Sequence, residues 1–257
     1  LRGRDSDSVQ GHAMTFKPVD VSSAKPILWF PNKVQKIVLM SATLSKKDIE
    51  YLGLNKRRVC TINCSSPILA EKRPVTYSPV GSMAARFQDE NVTKCAERIK
   101  ELARRNSNEK GLIHATYSLA RKLYPYLKDD PRFMFHDKDT KTKIYQGFRE
   151  STEPKVLVAS GMYEGVDLPY DAGRWQVLAK IPYPSLGDPV TKYLANKDPE
   201  YYAWETIKQV LQACGRICRR LDDFGETFII DSNFRRLYTQ HRELFPDYFI
   251  DSVRGLS

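Results

Sequence analysis

Apolar positions along the chain alternate between short unbroken runs and a helical period. Lys36-Ile37-Val38-Leu39-Met40 has the run of a buried strand, with Ser41-Ala42-Thr43-Leu44 directly behind it. Ser45 precedes a helical stretch, Lys46 to Leu52, with Asp48 three positions on as a capping-box acid and Gly53 as a stop. Arg58 to Pro79 reads as extended segments punctuated by Pro67, Pro74 and Pro79. From Gln88 to Arg105 the pattern is helical, because Val92, Cys95, Ala96, Ile99, Leu102 and Ala103 recur on one face. Runs and helical segments then alternate: a strand over Leu112–Ala115, a helix over Leu119–Leu127, a strand over Phe133–Phe135 and a helix over Thr140–Phe148. Strands follow at Val156–Ala159 and Val177–Ile181, then a long helix over Glu200–Arg220 and a strand over Glu226–Asp231. Phe234–Tyr238 and Leu244–Ile250 close the pattern. Near-continuous apolar strands separated by helices are βαβ units, which predict an open α/β fold: a mostly parallel sheet with helices on both faces. Residues 1–35, rich in Ser, Asp, Lys and Gly, show little periodicity and are expected to be a tail and connecting segment, leaving 36–257 as the folded domain.

Ligands of such sheets usually sit beyond the carboxyl ends of the strands. The residues there are Ser41 and Thr43, Thr116 and Ser118, the loop Ser160 to Asp167, and Pro182 to Asp188. Gly161, Glu164, Gly165 and Asp167 would let the Ser160 loop approach a phosphate, a sugar or a partner domain, or they build a tight turn and nothing more. Pro182 to Asp188 reads as turn scaffold. On a wheel of about 100° per residue with Gln212 at zero, Arg216 falls at roughly 40° and Arg219 at roughly −20°. Ile207, Val210, Leu211, Cys214, Ile217 and Cys218 gather on the opposite side. Two guanidiniums and an amide on one face suit phosphate or carboxylate oxygens, but a solvated basic face has the same pattern.

Composition narrows the partners. The 257 residues are 41% hydrophobic and carry a formal charge of +10, with a pI near 9.3, which favours phosphate-bearing partners over acidic ones. No apolar run approaches membrane-spanning length and Leu1 to Gln10 has no signal-peptide core, so a soluble, intracellular protein without a membrane partner is expected. The chain starts with Leu rather than Met, as a portion of something longer would. Five cysteines, Cys60, Cys64, Cys95, Cys214 and Cys218, include no CxxC pair and read as buried reduced thiols rather than a metal site.

Taken together, these motifs resemble the second RecA-like motor domain of superfamily-two DNA helicases of the XPD/DinG type. Ser41-Ala42-Thr43 resembles that family's coupling motif, Val156 to Asp167 (VLVASGMYEGVD) its fifth motif, and Gln212 to Arg219, with QxxGRxxR spacing, its sixth. Lys180 to Pro189 and Asp223-Phe224-Gly225, with the strand ending at Asp231, continue the likeness, which spans roughly Lys17 to Ile250. The resemblance implies that Arg216 and Arg219 are arginine fingers on ATP phosphates, that Gln212 orients them or the water, and that Gly165 and Asp167 border the nucleotide. It implies hydroxyl contacts from Thr116, Ser118 and Ser160 to a single strand or the single-stranded arm of a forked duplex, with translocation from 5′ to 3′. The sequence contains neither GxxxxGK[ST] nor a DExH or DExD box. ATP and Mg²⁺ would therefore be held mainly by a first motor domain, in cis or in trans, and this chain alone would be inactive. The alternatives are a catalytically incomplete nucleic-acid-binding module and a protein-interaction half.

Overall fold

The computed structural model describes residues 36, 38–54, 59–162 and 166–256. Its centre is a seven-stranded sheet: β1 (Val75–Gly81), β2 (Gly111–Ala115), β3 (Phe133–Phe135), β4 (Val156–Ser160), β5 (Trp175–Leu178), β6 (Glu226–Asp231) and β7 (Val253–Arg254). They lie in the order β3-β4-β2-β5-β6-β1-β7, and every adjacent pair is parallel. β2, β4 and β5 are buried at every position, as strands covered on both faces must be.

The pleat sends alternate residues to opposite faces. Ile113, Val158, Val177, Phe228 and Ile230 pack against α2 (Gln88–Arg105) and α3 (Tyr117–Leu127), which contribute Ile99, Leu102, Leu119 and Leu123. α2 is the helix its periodicity predicts, with the six expected apolar positions buried, Asp89 and Glu90 in its first turn and Arg104 and Arg105 in its last, matching the helix dipole. On the other face, Leu178 and Ile229 meet Ile207, Val210 and Leu211 of α6 (Pro199–Cys214), together with α7 (Asn233–Gln240) and α8 (Asp247–Ile250). Farther along, Leu112, Leu157 and Ala159 pack under Phe148 of α4 (Lys141–Glu150) and under Met162, Val166 and Leu168.

Four features depart from the sequence expectation. Residues 38–40 form no strand: Val38 and Met40 are 86% and 94% exposed, and the run pairs with neither edge strand of the sheet, β3 or β7. Ile37, inside that run, lies outside the described residues. The helix α5 (Pro189–Lys197) goes unread in the sequence although Asp188 caps it through Thr191 N at 3.0 Å and Pro189 opens it. β7 also goes unread, and the long helix stops at Cys214 instead of Arg220. α1 (Lys46–Tyr51) forms as expected, with Ser45 and Asp48 making a reciprocal capping box and Gly53 following at φ 62°.

Candidate functional site

The early end of α6 changes how the arginines are presented. Beyond Gly215, Arg216 and Arg219 leave the helix, so they do not share its face with Gln212. Asp223 sets the path of this loop. Its fully buried carboxylate accepts the backbone N–H groups of Arg219 (2.9 Å), Tyr170 (3.0 Å) and Phe224 (2.8 Å), and Arg174 Nη1 at 2.9 Å. These bonds pull Arg219 back toward the start of β6 and out of a helical course, with Cys218 at φ 54°. Ile217 stays buried by wedging between Gly173 and Gly225, where an added Cβ would stand 2.9 and 2.8 Å from its side chain.

The loop is clasped to the segment that follows β4. Arg216 Nη1 donates to Val166 O at 3.2 Å, and Leu168 N donates to Arg216 O at 3.1 Å. Arg219 Nε donates to Asp167 Oδ1 at 2.8 Å, and its Nη1 to Gly215 O at 2.9 Å. The backbone of Asp167 is fixed by the hydroxyl of Tyr145, which accepts Asp167 N at 3.1 Å. Arg216, Arg219 and Asp167 thus stand together. Gly165 lies outside the described residues.

Gln212 belongs to a second cluster. It lines a cleft of about 390 Å³ with Ser41, Thr43, Leu44, Asp48, Tyr51, Tyr201 and Lys208, so the expected coupling segment sits beside the last turn of α6. Ser41 Oγ accepts Thr43 N at 3.2 Å, and Ala42 is exposed between them. The anchor is Asp48, whose carboxylate takes Trp204 Nε1 at 2.9 Å and Lys208 Nζ at 3.0 Å, while Tyr51 stacks on Tyr201 with ring centroids 4.7 Å apart. Burial draws the Lys208 ammonium down, but hydrogen bonds to Glu205 and Asp48 outweigh it and raise its pKa above the usual lysine value. Sequence reasoning found Asp48 as a helix cap and missed this second role, whose partners lie far along the chain.

The hydroxyls form a third cluster, at the carboxyl ends of the central strands. β2 and β4 end there side by side, with Ala115 opposite Ser160, whereas the arginine loop lies where β5 and β6 begin. Thr116 caps α3 by accepting Leu119 N at 3.3 Å, and Ser118 is exposed on the first turn. Ser160 is different: it is fully buried, its Oγ has no hydrogen-bond partner among the described residues, and its N–H donates to His136 Nε2 at 3.0 Å. With no exposed surface, the hydroxyl does not present the contact expected of it in this structure. Met162, just beyond β4, and Val166 and Leu168, beside the arginines, belong to one apolar cluster on this sheet face.

The cysteines divide. Cys95 and Cys218 are buried, and burial pushes the Cys95 thiol up to about 12, but Cys60 and Cys64 are exposed, contrary to expectation, on a stretch outside any helix or strand. Among the described residues, no three His, Cys, Asp or Glu side chains are placed to share a metal ion, and no helix is long and apolar enough to cross a membrane.

Residues 94–250 match the family described as the helicase C-terminal domain. The regulator of telomere elongation helicase 1 homolog of Drosophila sechellia is 30% identical over 121 residues, covering 41% of this chain and 12% of that protein. The ATP-dependent DNA helicase YoaA of Haemophilus influenzae is 24% identical over 131 residues, 47% of this chain and 20% of that protein. The chain thus spans a small part of the length of these relatives. Among solved structures, S. tokodaii Xpd4 superimposes with a TM-score of 0.58 at 17% identity, over 86% of this chain and 45% of that one. S. cerevisiae Dbp5 bound to RNA and ADP BeF3 gives 0.55 at 15% identity, over 91% and 54%. Those two likenesses establish a RecA-like helicase fold. With the matched span covering more than half of its length, the chain belongs to the helicase C-terminal domain family.

Proposed function

We propose that this domain is the second motor half of an ATP-dependent DNA helicase or translocase, supplying arginine fingers to a nucleotide held by a first RecA-like half. The observation that carries the reading is the pairing of Arg216 and Arg219 with the Val166–Leu168 segment, on a loop whose course the buried Asp223 dictates. Guanidiniums are donors only, and their fork fits phosphate oxygens, so this donor set fits ATP. The Arg219–Asp167 pair is half-exposed on both sides, at 47% and 65%, and can exchange its carboxylate for a phosphate at small cost.

ATP, bound with Mg²⁺ between the halves, supplies a γ-phosphoryl group whose transfer spreads negative charge over its oxygens. Arg216 and Arg219 stabilise that charge, and the backbone bonds around Asp223 hold Arg219 in place beforehand. Gln212 orients the arginines or the water, and Gly165 and Asp167 border the nucleotide. Ser41 to Thr43, lying in the same cleft as Gln212, transmit the state of the nucleotide site between the halves. Thr116 and Ser118, with Ser160 once uncovered, touch the sugar-phosphate backbone of a single strand, a contact that ignores base sequence. The phosphate cradle and magnesium carboxylates belong to the other half, since the sequence has no GxxxxGK[ST]. Single-strand-stimulated ATP hydrolysis measured on the 257-residue chain and on the full-length protein tests this division. Turnover only by the full-length protein supports it, and robust turnover by the chain alone overturns it.

A further inference from the structure

Three polar side chains lie within an otherwise apolar face of the sheet. His114 on β2, Gln176 on β5 and Thr227 on β6 all point toward α6, beside Leu112, Leu178 and Ile229, and are 1%, 0% and 4% exposed. Burying three such groups is costly unless they are bonded to one another and to something else. Gln176 makes the links: its Nε2 donates to Thr227 Oγ1 at 2.8 Å and to the carbonyl of Cys214 at 2.9 Å. A carbonyl can only accept, so the amide orientation is fixed and Oε1 faces His114 Nε2 at 3.1 Å. His114 therefore carries its proton on Nε2 and donates it to Gln176. A second proton would be opposed first by burial, although Gln176 and the Ala213 carbonyl favour it, and then by the nearby Arg216.

The placement of this chain of bonds gives it a role beyond packing. Cys214 is the last residue of α6 and Gly215 its cap, so the carbonyl that Gln176 captures is one the helix leaves without an intrahelical partner. Arg216 departs two residues later. We propose that His114, Gln176 and Thr227 are positioning residues that fix the break at the end of α6 and so aim the Arg216 guanidinium. The inference rests on the finger role proposed above for Arg216. It also ties the aim of that arginine to β2, where His114 is followed by Ala115 and then by the α3 cap Thr116, so displacement at Thr116 would be felt at the helix end.

The test uses the full-length protein. His114→Leu and Gln176→Leu remove the donor or the bridge, whereas His114→Gln keeps an N–H close to the position of Nε2. We expect each Leu variant to lower kcat for single-strand-stimulated ATP hydrolysis tenfold or more, with KM for ATP and single-strand affinity within about twofold of the parent. His114→Gln should recover most of the loss. In an Arg216→Ala background, His114→Leu should cost nothing further, since its effect passes through Arg216. Unchanged kcat in both Leu variants, or a full tenfold loss persisting in the Arg216→Ala background, overturns the inference. If a Leu variant does not fold, Thr227→Val stands in, and a Thr227→Val protein with parental kcat contradicts it equally. An Arg216→Ala protein with parental turnover is a separate result, removing the finger role itself.

Discussion

Arg219 and Asp167 lie 52 residues apart in sequence and meet through a 2.8 Å bond from Nε to Oδ1. The pair joins the two loops that the motif pattern singled out, and it is half-exposed. An ion pair of that kind contributes at most about 1 kcal/mol. Asp167→Asn should accordingly shift the melting temperature by no more than about 4 °C. It should leave nucleotide KM in the full-length protein unchanged or lower, because Arg219 then gives up no carboxylate when it turns to phosphate. A clear rise in KM would show that Asp167 binds the nucleotide side instead of restraining the arginine.

Asp223 is the opposite case, a carboxylate with no exposure that accepts four hydrogen bonds. Asp223→Ala leaves three backbone N–H groups without their acceptor, while Arg174 keeps Asp171 and the Phe224 carbonyl, and the loss of so many bonds to one buried carboxylate should cost about 3 kcal/mol. Urea unfolding of the domain measures it. A loss under about 1 kcal/mol would mean that the arginine loop does not depend on this anchor.

Asp48 binds α1 to α6 through Trp204 and Lys208, contacts that a helix cap alone does not need. Asp48→Ala should destabilise by about 2 kcal/mol, more than the roughly 1 kcal/mol typical of a lost cap. Ser45→Ala, which removes the cap's own hydroxyl and leaves the cross-helix bonds, isolates the smaller part. Equal losses in the two variants would deny Asp48 its bridging role.

His114 gives the domain an acid sensitivity with a defined window. Burial, reinforced by Arg216, holds its pKa at about 4, below the value of about 6.5 that it takes in an unfolded chain. Between those values the unfolded chain binds a proton that the folded one does not. Stability from this residue is therefore intact above about pH 6.5 and declines as the pH falls toward 4, by roughly 3 kcal/mol in all. The difference in unfolding free energy between the parent protein and His114→Gln, followed from pH 7 to pH 4, should narrow by about that amount. A pH-independent difference would show that the ring titrates normally.

Local chemistry made most of the sheet and its covering helices readable. The helix at Gln88–Arg105 lies where its period puts it because one face is buried and the other is not, and the strand at Phe133–Phe135 is an unbroken apolar run because both its faces pack. The arginines illustrate what periodicity misses. Ile217 and Cys218 are buried as a continued helix would bury them, yet they sit in a loop held by Asp223, and Gly215 was the visible stop signal. Asp188-Pro189 and Asp198-Pro199 each begin a helix by the same cap-and-proline device, while the apolar period reveals only the second helix, from Glu200. Val38 and Met40 carry a strand's composition without a strand's neighbours, so no local rule could place them. The meeting of Asp48 with Trp204 and Lys208, and of His114 with Gln176, depends on sheet order and helix docking, which a linear pattern does not encode. For the same reason the sequence could group Gln212 with the arginines but could not show that it faces Ser41 and Thr43.

The central claim is that Arg216 acts on the phosphates of a nucleotide held by another half, and steady-state ATP hydrolysis by the full-length protein carrying Arg216→Ala tests it most directly. The account predicts a fall in kcat of about 10³-fold with single-strand affinity and thermal unfolding preserved, and a similar fall for Arg216→Lys, which keeps the charge but not the fork. Turnover within a few-fold of the parent would contradict it.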